Sequence, residues 1–579
     1  MLNYTLFVKN PAAHYLYVDL DVKEIKTDVL TLQLPAWRPG RYELGNFAKN
    51  IKKFEAFDTN NKTLPFKKTS KDCWQVETKG HTHIKVTYSY YAAELNAGST
   101  YVDESQVYAN PCNCLMYVPE MMQVQHKVSL KVPDNYFIAT SLKKEGKTLT
   151  AANFDELADS PFIAAPHINT IHFKVNSINF YLHFNGECQP GKEALVRDFT
   201  AYIKEQLSFY GGVHFDEYHF LMQIFPQKFH HGVEHTKNTV IGFGPGYHLM
   251  HAEVYNEFLG LCCHEFFHTW NIKTIRPAEM QPYNYAAENY ARTGFVYEGV
   301  TTYYGDKLLL TSGVFDEPAW CRTFEERITK HLHSFGRFNL SVGDSSFDNW
   351  LDGYAPGAPY RKTNIYDEGC LVSFMLDVLI AKYSGKRNSL QTVMKNLYED
   401  FYKNHKGYTE QDFTRLCSEA AGKDLQDFFD KYVYGLEPYE PLLKECFSAI
   451  GLHLEKHHAP VFYERYLGMK AMEHLHHKKI TMIAPYSPAW EAGLSINDEI
   501  LAVNGFMLKN DLNQWLTYFS HKDESCRLTI MRGAELKEIT VPLKTEGDFF
   551  YTYKITHKES PGTAEKESFA FWKRSFAKI

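Results

Sequence analysis

The chain has 579 residues, too many for a single hydrophobic core and enough for three or four domains. It is 44% hydrophobic and 23% charged, as soluble globular proteins are, and its 15% aromatic content favours β-rich packing and aromatic-lined clefts. A net charge of −7 gives no basis for binding nucleic acid or an anionic membrane, and no apolar run reaches the ~20 residues needed to span a bilayer.

The first residues, Met1 to Pro11, lack the basic segment and apolar core of a signal peptide. The 11 cysteines are odd in number and include the adjacent Cys262-Cys263 and the close pair Cys112/Cys114. That pattern suits a reducing compartment, so the expected location is cytoplasmic unless a leader has been trimmed. Cys112 and Cys114 could be a metal pair, but no second CxxC-like pair accompanies them.

Residues 1–172 read as a β-sandwich-like domain. Alternating segments at Tyr15–Val22, Val29–Leu34, Ile84–Tyr90 and Val128–Val132 are separated by turn signals such as Arg38-Pro39-Gly40 and Asn60-Asn61. Residues 173–450 change texture. One strand-like run, Tyr218–Phe225, precedes helical periodicity over 253–271, 295–312, 318–333, 366–383, 388–404 and 409–434. Residues 455–545 return to β character, and 546–579 read as a polar, mixed C-terminal tail. The fold class is therefore multidomain α+β.

The helical region carries His264-Glu265-Phe266-Phe267-His268. Histidines four apart lie on one helix face, one turn from each other. Both imidazoles can reach one zinc ion, with Glu265 beside them as a base for an attacking water. With 27 histidines in the chain, the competing reading is a helix whose histidines merely pack or face solvent. A catalytic zinc takes three protein ligands, so a partner is needed. Glu298, near the start of a second helix at Phe295, is the best candidate; spacing alone leaves other His and Asp residues open.

His264 to Lys273, Arg276-Pro277 and Glu298-Gly299-Val300-Thr301 together resemble the glycyl aminopeptidase family, zinc peptidases with a glutamate ligand and a C-terminal PDZ domain. The spacer between His268 and Glu298 matches that family's longer one. Leu34-Pro35-Ala36-Trp37-Arg38-Pro39-Gly40-Arg41-Tyr42 resembles its opening β-domain signature, so the resemblance spans nearly the whole chain. It implies a mainly helical, thermolysin-like catalytic domain holding one Zn2+ per chain on His264, His268 and Glu298.

The resemblance implies further sites. Gly232-Val233-Glu234-His235 resembles the glycine-containing exopeptidase motif, whose carboxylate, here Glu234, binds the free α-ammonium of a peptide. The alternative is a turn glutamate. Tyr366 resembles the tyrosine that donates to the oxyanion, the alternative being a packing residue. Glu368 departs from the pattern, standing where a lysine before the glycine is common. Tyr108, Asn110 and Pro111 are candidates for the first domain's share of the cleft, and Lys273 and Arg276 for supporting the exit of the zinc helix.

Ser487 to Leu494 and Ile500 to Gly505 resemble a PDZ domain of the protease-associated type. Its carboxylate-binding loop would be Leu467-Gly468-Met469, and its groove helix would begin at Asp511. The ligand implied is a C-terminal peptide. The alternative is a degenerate module packed on the catalytic domain or on a second subunit, so a homo-oligomer is left open.

The function implied is a zinc aminopeptidase removing small N-terminal residues, glycine or alanine, from peptide substrates. The alternatives are a PDZ-centred peptide-binding protein with an inactive zinc domain, and an endopeptidase or a hydrolase of non-peptide substrates in the same fold. An intact Glu265 disfavours the inactive form, and Glu234 disfavours the endopeptidase.

Overall fold

The computed structural model describes residues 2–354, 357–475 and 477–577. In the N-terminal region a seven-stranded sheet includes Leu2–Val8, Tyr15–Lys23, His83–Tyr91 and His126–Lys131. Tyr15–Lys23 alternates between half-buried and buried positions, which sends Leu16, Val18, Leu20 and Val22 into the core. Each such side chain contributes about 1.5–3 kcal/mol of burial. A three-stranded sheet (Val29–Gln33, Cys73–Glu77, Phe66–Ser70) and a four-stranded sheet complete this region. The four strands expected here all form.

The catalytic region opens with more β-structure than the periodicity suggested. A five-stranded sheet runs in the order Asn169–Val175, Ile178–Asn185, Glu217–Ile224, Asn238–Gly244 and Phe229–Glu234. The domain boundary expected at 172/173 therefore falls inside the first strand. Phe229–Glu234 is an edge strand, antiparallel to Asn238–Gly244, and carries Gly232, Val233 and Glu234, with His235 just beyond its end.

Against this sheet lies the helix Ala252–Phe267, which buries Phe258, Leu259, Cys262, Cys263, Phe266 and Phe267. The helices Thr301–Thr311, Glu317–His333, Ile365–Tyr383 and Leu390–Asp400 follow as expected. The long helix expected over 409–434 is two, Glu410–Ala421 and Gln426–Tyr432, separated at Gly422 to Leu425.

The C-terminal stretch is not a tail. Strand Thr552–His557 pairs with Leu452–His457, and helix Thr563–Trp572 docks on the catalytic core. Trp572 is buried against Trp320, and its indole N–H donates to the Tyr303 hydroxyl at 2.9 Å. Phe576 packs edge-on against Phe209. The segment mixes charged and aromatic residues, and aromatics such as Trp572 and Phe576 supply the face that docks.

Between these, a separate core of Leu467, Met469, Ile480, Ile500, Leu516 and Leu528 organises a compact unit. Its sheet begins with the strand Met469–His474, paired to His477–Ile483, and helix Leu512–Ser520 packs beside it.

Candidate active site

His264 and His268 sit at the C-terminal end of the helix Ala252–Phe267, and their Nε2 atoms lie 3.0 Å apart. Glu298 arrives on a π-type turn, Phe295–Val300, that leads into the helix Thr301–Thr311. Such turns insert an extra residue and are common at functional sites. Glu298 Oε2 lies 3.6 Å from His264 Nε2 and 3.4 Å from His268 Nε2. Four-coordinate ligands at about 2.1 Å from a zinc are separated by about 3.4 Å, the edge of the tetrahedron. The three atoms have the spacing that one ion requires. Glu298 Oε2 is also buried without a hydrogen-bond partner, so the donor set fits a zinc ion.

The approach of Glu298 depends on two glycines. Gly299 and Gly369 touch backbone to backbone, and a Cβ on either would collide with the other's chain. This contact draws the Glu298 turn and the helix Ile365–Tyr383 together.

His268 is oriented from behind. Its Nδ1 donates to the Asn271 carbonyl at 2.6 Å, which leaves Nε2 free to ligate. The Asn271 side chain donates to the Val296 carbonyl at 2.9 Å and to the Thr301 hydroxyl at 3.1 Å. One residue thus links the end of the helix bearing His264 and His268 to the turn bearing Glu298. Asn271 was visible only as part of the motif, because its role depends on a contact 25 residues away.

Glu234, Glu265 and His268 also converge, with one ligand atom from each within 4.8 Å of the others. Glu265 and Glu234 are both buried, and each has a carboxylate oxygen without a partner. Gly232 is required where it stands, since a Cβ there would overlap the Glu265 carboxylate. The cleft has a volume of about 730 Å³ and is lined by Gly232, Glu234, His264, Glu265, Glu298 and Tyr366, among others.

Electrostatics follow from crowding acids and imidazoles out of water. Burial alone would raise the Glu298 carboxyl, but His268 and His264 outweigh it and hold it at about 2. Burial opposes charge on His268, yet Glu298 and Glu234 lift it to about 10. Burial lowers His264 to about 4 against the pull of Glu298. Burial pushes Glu265 well above the usual carboxylate range, and Glu234 and Glu298 add to the rise. Three carboxylates facing two imidazoles favour positive charge in this space.

Tyr366 lies on the cleft wall with its ring 6.3 Å from that of His264. Its hydroxyl is 3.2 Å from the hydroxyl of Tyr354, a second phenol that no motif marked. Glu368 points elsewhere: it is buried and paired with His331 Nδ1 at 2.8 Å, so its departure from the family pattern does not alter the cleft charge directly. Tyr108, Asn110 and Pro111 are packed in the first domain rather than on the cleft. Tyr108 donates to the Ala97 carbonyl, and Asn110 donates to the Ser99 carbonyl and the Tyr108 hydroxyl. The first domain reaches the site instead through Arg38 to Tyr42. Gly40 abuts the Glu234 carboxylate, and Tyr42 packs against Tyr297 at 4.7 Å.

Lys273 and Arg276 have structural partners. Lys273 Nζ pairs with Asp159 Oδ1 at 2.6 Å and Arg276 with Asp155 Oδ2 at 3.4 Å. The eleven cysteines are all free thiols, Cys112 and Cys114 included.

Residues 3–166 match the Peptidase M61 N-terminal domain, and residues 257–372 match M61 glycyl aminopeptidase. The second contains both histidines, Glu265, Glu298 and Tyr366, and the chain is a metallopeptidase. A crystal structure of an aminopeptidase N family protein from Idiomarina loihiensis has the same fold, with a TM-score of 0.90 at 24% identity over 99% of this chain and 100% of that one. An M1 zinc metallopeptidase from Deinococcus radiodurans, bound to a Tyr-Ser-Ala substrate, aligns at a TM-score of 0.46 and 13% identity, covering 76% of this chain and 94% of that one. Comparison with curated proteins gave no match. No helix among the described residues is long and apolar enough to cross a membrane.

In the unit around 455–545, Leu467-Gly468 leads directly into the edge strand Met469–His474. Phe549 lies against Gly468, and its N–H donates to the Arg465 carbonyl at 2.9 Å. Lys470 Nζ meets His333 Nδ1 of the catalytic region at 2.8 Å. The Tyr360 hydroxyl bonds both the N–H and the carbonyl of Ile483.

Proposed function

We propose that this metallopeptidase is a zinc aminopeptidase that removes small N-terminal residues, glycine or alanine, from peptides, with a catalytic region of thermolysin-like type. The observation that carries this reading is the convergence of Glu234 with Glu265 and His268, in the cleft that His264 and Glu298 also line. Gly40 of the first domain abuts the Glu234 carboxylate. That geometry favours a free N-terminus over an internal segment, because a buried carboxylate pairs with an α-ammonium and sets the first peptide bond over the ligand group.

His264, His268 and Glu298 would hold one zinc ion, which polarises a carbonyl and acidifies water when bound. Glu265 accepts a proton from the attacking water and returns it to the leaving amine. Tyr366 donates its hydroxyl hydrogen to the developing oxyanion. Gly232 keeps the edge strand close to Glu265 and leaves its backbone available to the substrate.

Glycyl-anilide and its N-acetylated form test the exopeptidase reading. Hydrolysis of the free amine alone is expected. Cleavage of the blocked substrate at a comparable rate would replace this reading with an endopeptidase.

Residues 455–545 fit a PDZ-type module, with Leu467-Gly468-Met469 as its carboxylate loop. The contact of Phe549 with Gly468 favours a loop covered from within the chain. C-terminal peptides titrated against the full chain should show no saturable binding, and saturable binding would make the groove a working site.

A further inference from the structure

A second group of metal-type donors lies far from the catalytic cleft in sequence, on the 455–545 unit. His474 ends the strand Met469–His474, and His477 begins its neighbour His477–Ile483. The two are paired directly across the hairpin. On the next strand, Glu499 is paired with Lys479, two residues from His477. Side chains repeat their face every second residue, so all three donors share one face of the sheet.

The geometry supports this alternation. The two imidazole rings are 5.3 Å apart at 69°, and His477 Nε2 meets Glu499 Oε2 at 2.7 Å. One ligand atom from each of the three falls within 4.8 Å of the others. His474 is exposed, while His477 and Glu499 are half-buried.

We propose that His474, His477 and Glu499 form a second divalent-cation site, for borderline ions such as zinc or nickel rather than calcium or magnesium. Two imidazoles with one carboxylate are the donor chemistry of those ions, and hard oxygen-seeking cations gain little from imidazole. The donors come from three adjacent strands, so the backbone holds their spacing and the ion cross-links the sheet. Solvent completes the coordination on the exposed side. Lys479 projects from the same face and opposes a cation, so this site binds more weakly than the buried cleft. Occupancy stabilises the module by mass action, and the cross-linked strand begins immediately after Leu467-Gly468.

The experiment is calorimetric titration of the full chain, stripped of metal, with zinc chloride, followed by metal analysis after dialysis. Two classes of site are expected, one tight and one weaker. His264→Ala/His268→Ala should retain only the weaker class. His474→Ala/His477→Ala should retain only the tight class, with unchanged far-ultraviolet circular dichroism. Glu499→Gln should weaken the second class about tenfold or more. If His474→Ala/His477→Ala binds zinc with the wild-type stoichiometry and affinities, no site exists at this hairpin. This result is independent of the aminopeptidase reading, because the stoichiometry is read without any substrate.

Discussion

Lys273 and Asp159 form a buried ion pair, with Nζ and Oδ1 2.6 Å apart, that joins the exit of the helix bearing His264 and His268 to the N-terminal domain. The same carboxylate also accepts from His235 at 3.0 Å and from the Thr236 hydroxyl at 2.6 Å. His235 directly follows Glu234, so one aspartate braces both the exit of the His264/His268 helix and the edge strand that lines the cleft. Burial would raise the Asp159 carboxyl, but Lys273 and His235 more than reverse it and hold it below the usual range.

Removing one partner of a buried pair strands the other charge. Lys273→Ala should cost about 3–5 kcal/mol of stability, read as a shift in the urea midpoint. Lys273→Met combined with Asp159→Asn should cost less than the two single changes added together. Strict additivity would show that the pair does not couple the domains.

Glu265→Gln keeps the shape of the side chain and removes its basicity. Turnover should fall by about 10²–10⁴-fold while bound zinc stays at the wild-type level. His264→Ala should do the opposite, emptying the site of metal. Wild-type hydrolysis by Glu265→Gln would exclude it as the base.

The Tyr354–Tyr366 hydroxyl contact predicts unequal roles for two phenols. Tyr366→Phe should lower kcat about 10²-fold or more with little change in KM, as expected for a donor used in the transition state. Tyr354→Phe should cost much less, on the order of tenfold, because it removes only the group that orients the Tyr366 hydroxyl. Equal losses would point to two direct donors.

Stability should fall in mild acid. Burial lowers His126 to about 4, and only its Nδ1 has a partner, the Val124 carbonyl at 2.8 Å. Its unfolded value is near 6.5, so the unfolded chain takes up the proton first as pH falls. This contribution is complete above about pH 6.5 and is lost progressively down to about 4. Burial drives His183 the same way, to about 3. The denaturation midpoint should drop between pH 7 and 5, and His126→Gln should reduce the slope. A wild-type slope in that variant would assign the acid sensitivity to other groups.

The sequence by itself determined what is local. His264 and His268 share a helix face because four residues make one turn, and the strands at Tyr15–Lys23 and His83–Tyr91 follow from strict alternation of apolar residues. The order of motifs also made Glu298 the leading third ligand. The tertiary structure decided what depends on long-range contact. Asn271, Tyr354 and the Asp159 brace gain their roles from residues distant in the chain, and spacing carries no such information. The strand Asn169–Val175 was legible in the same alternation, through Ile171, Phe173 and Val175, whereas the docking of Trp572 was hidden: burial is set by what packs against a segment, and periodicity reports only how it could pack.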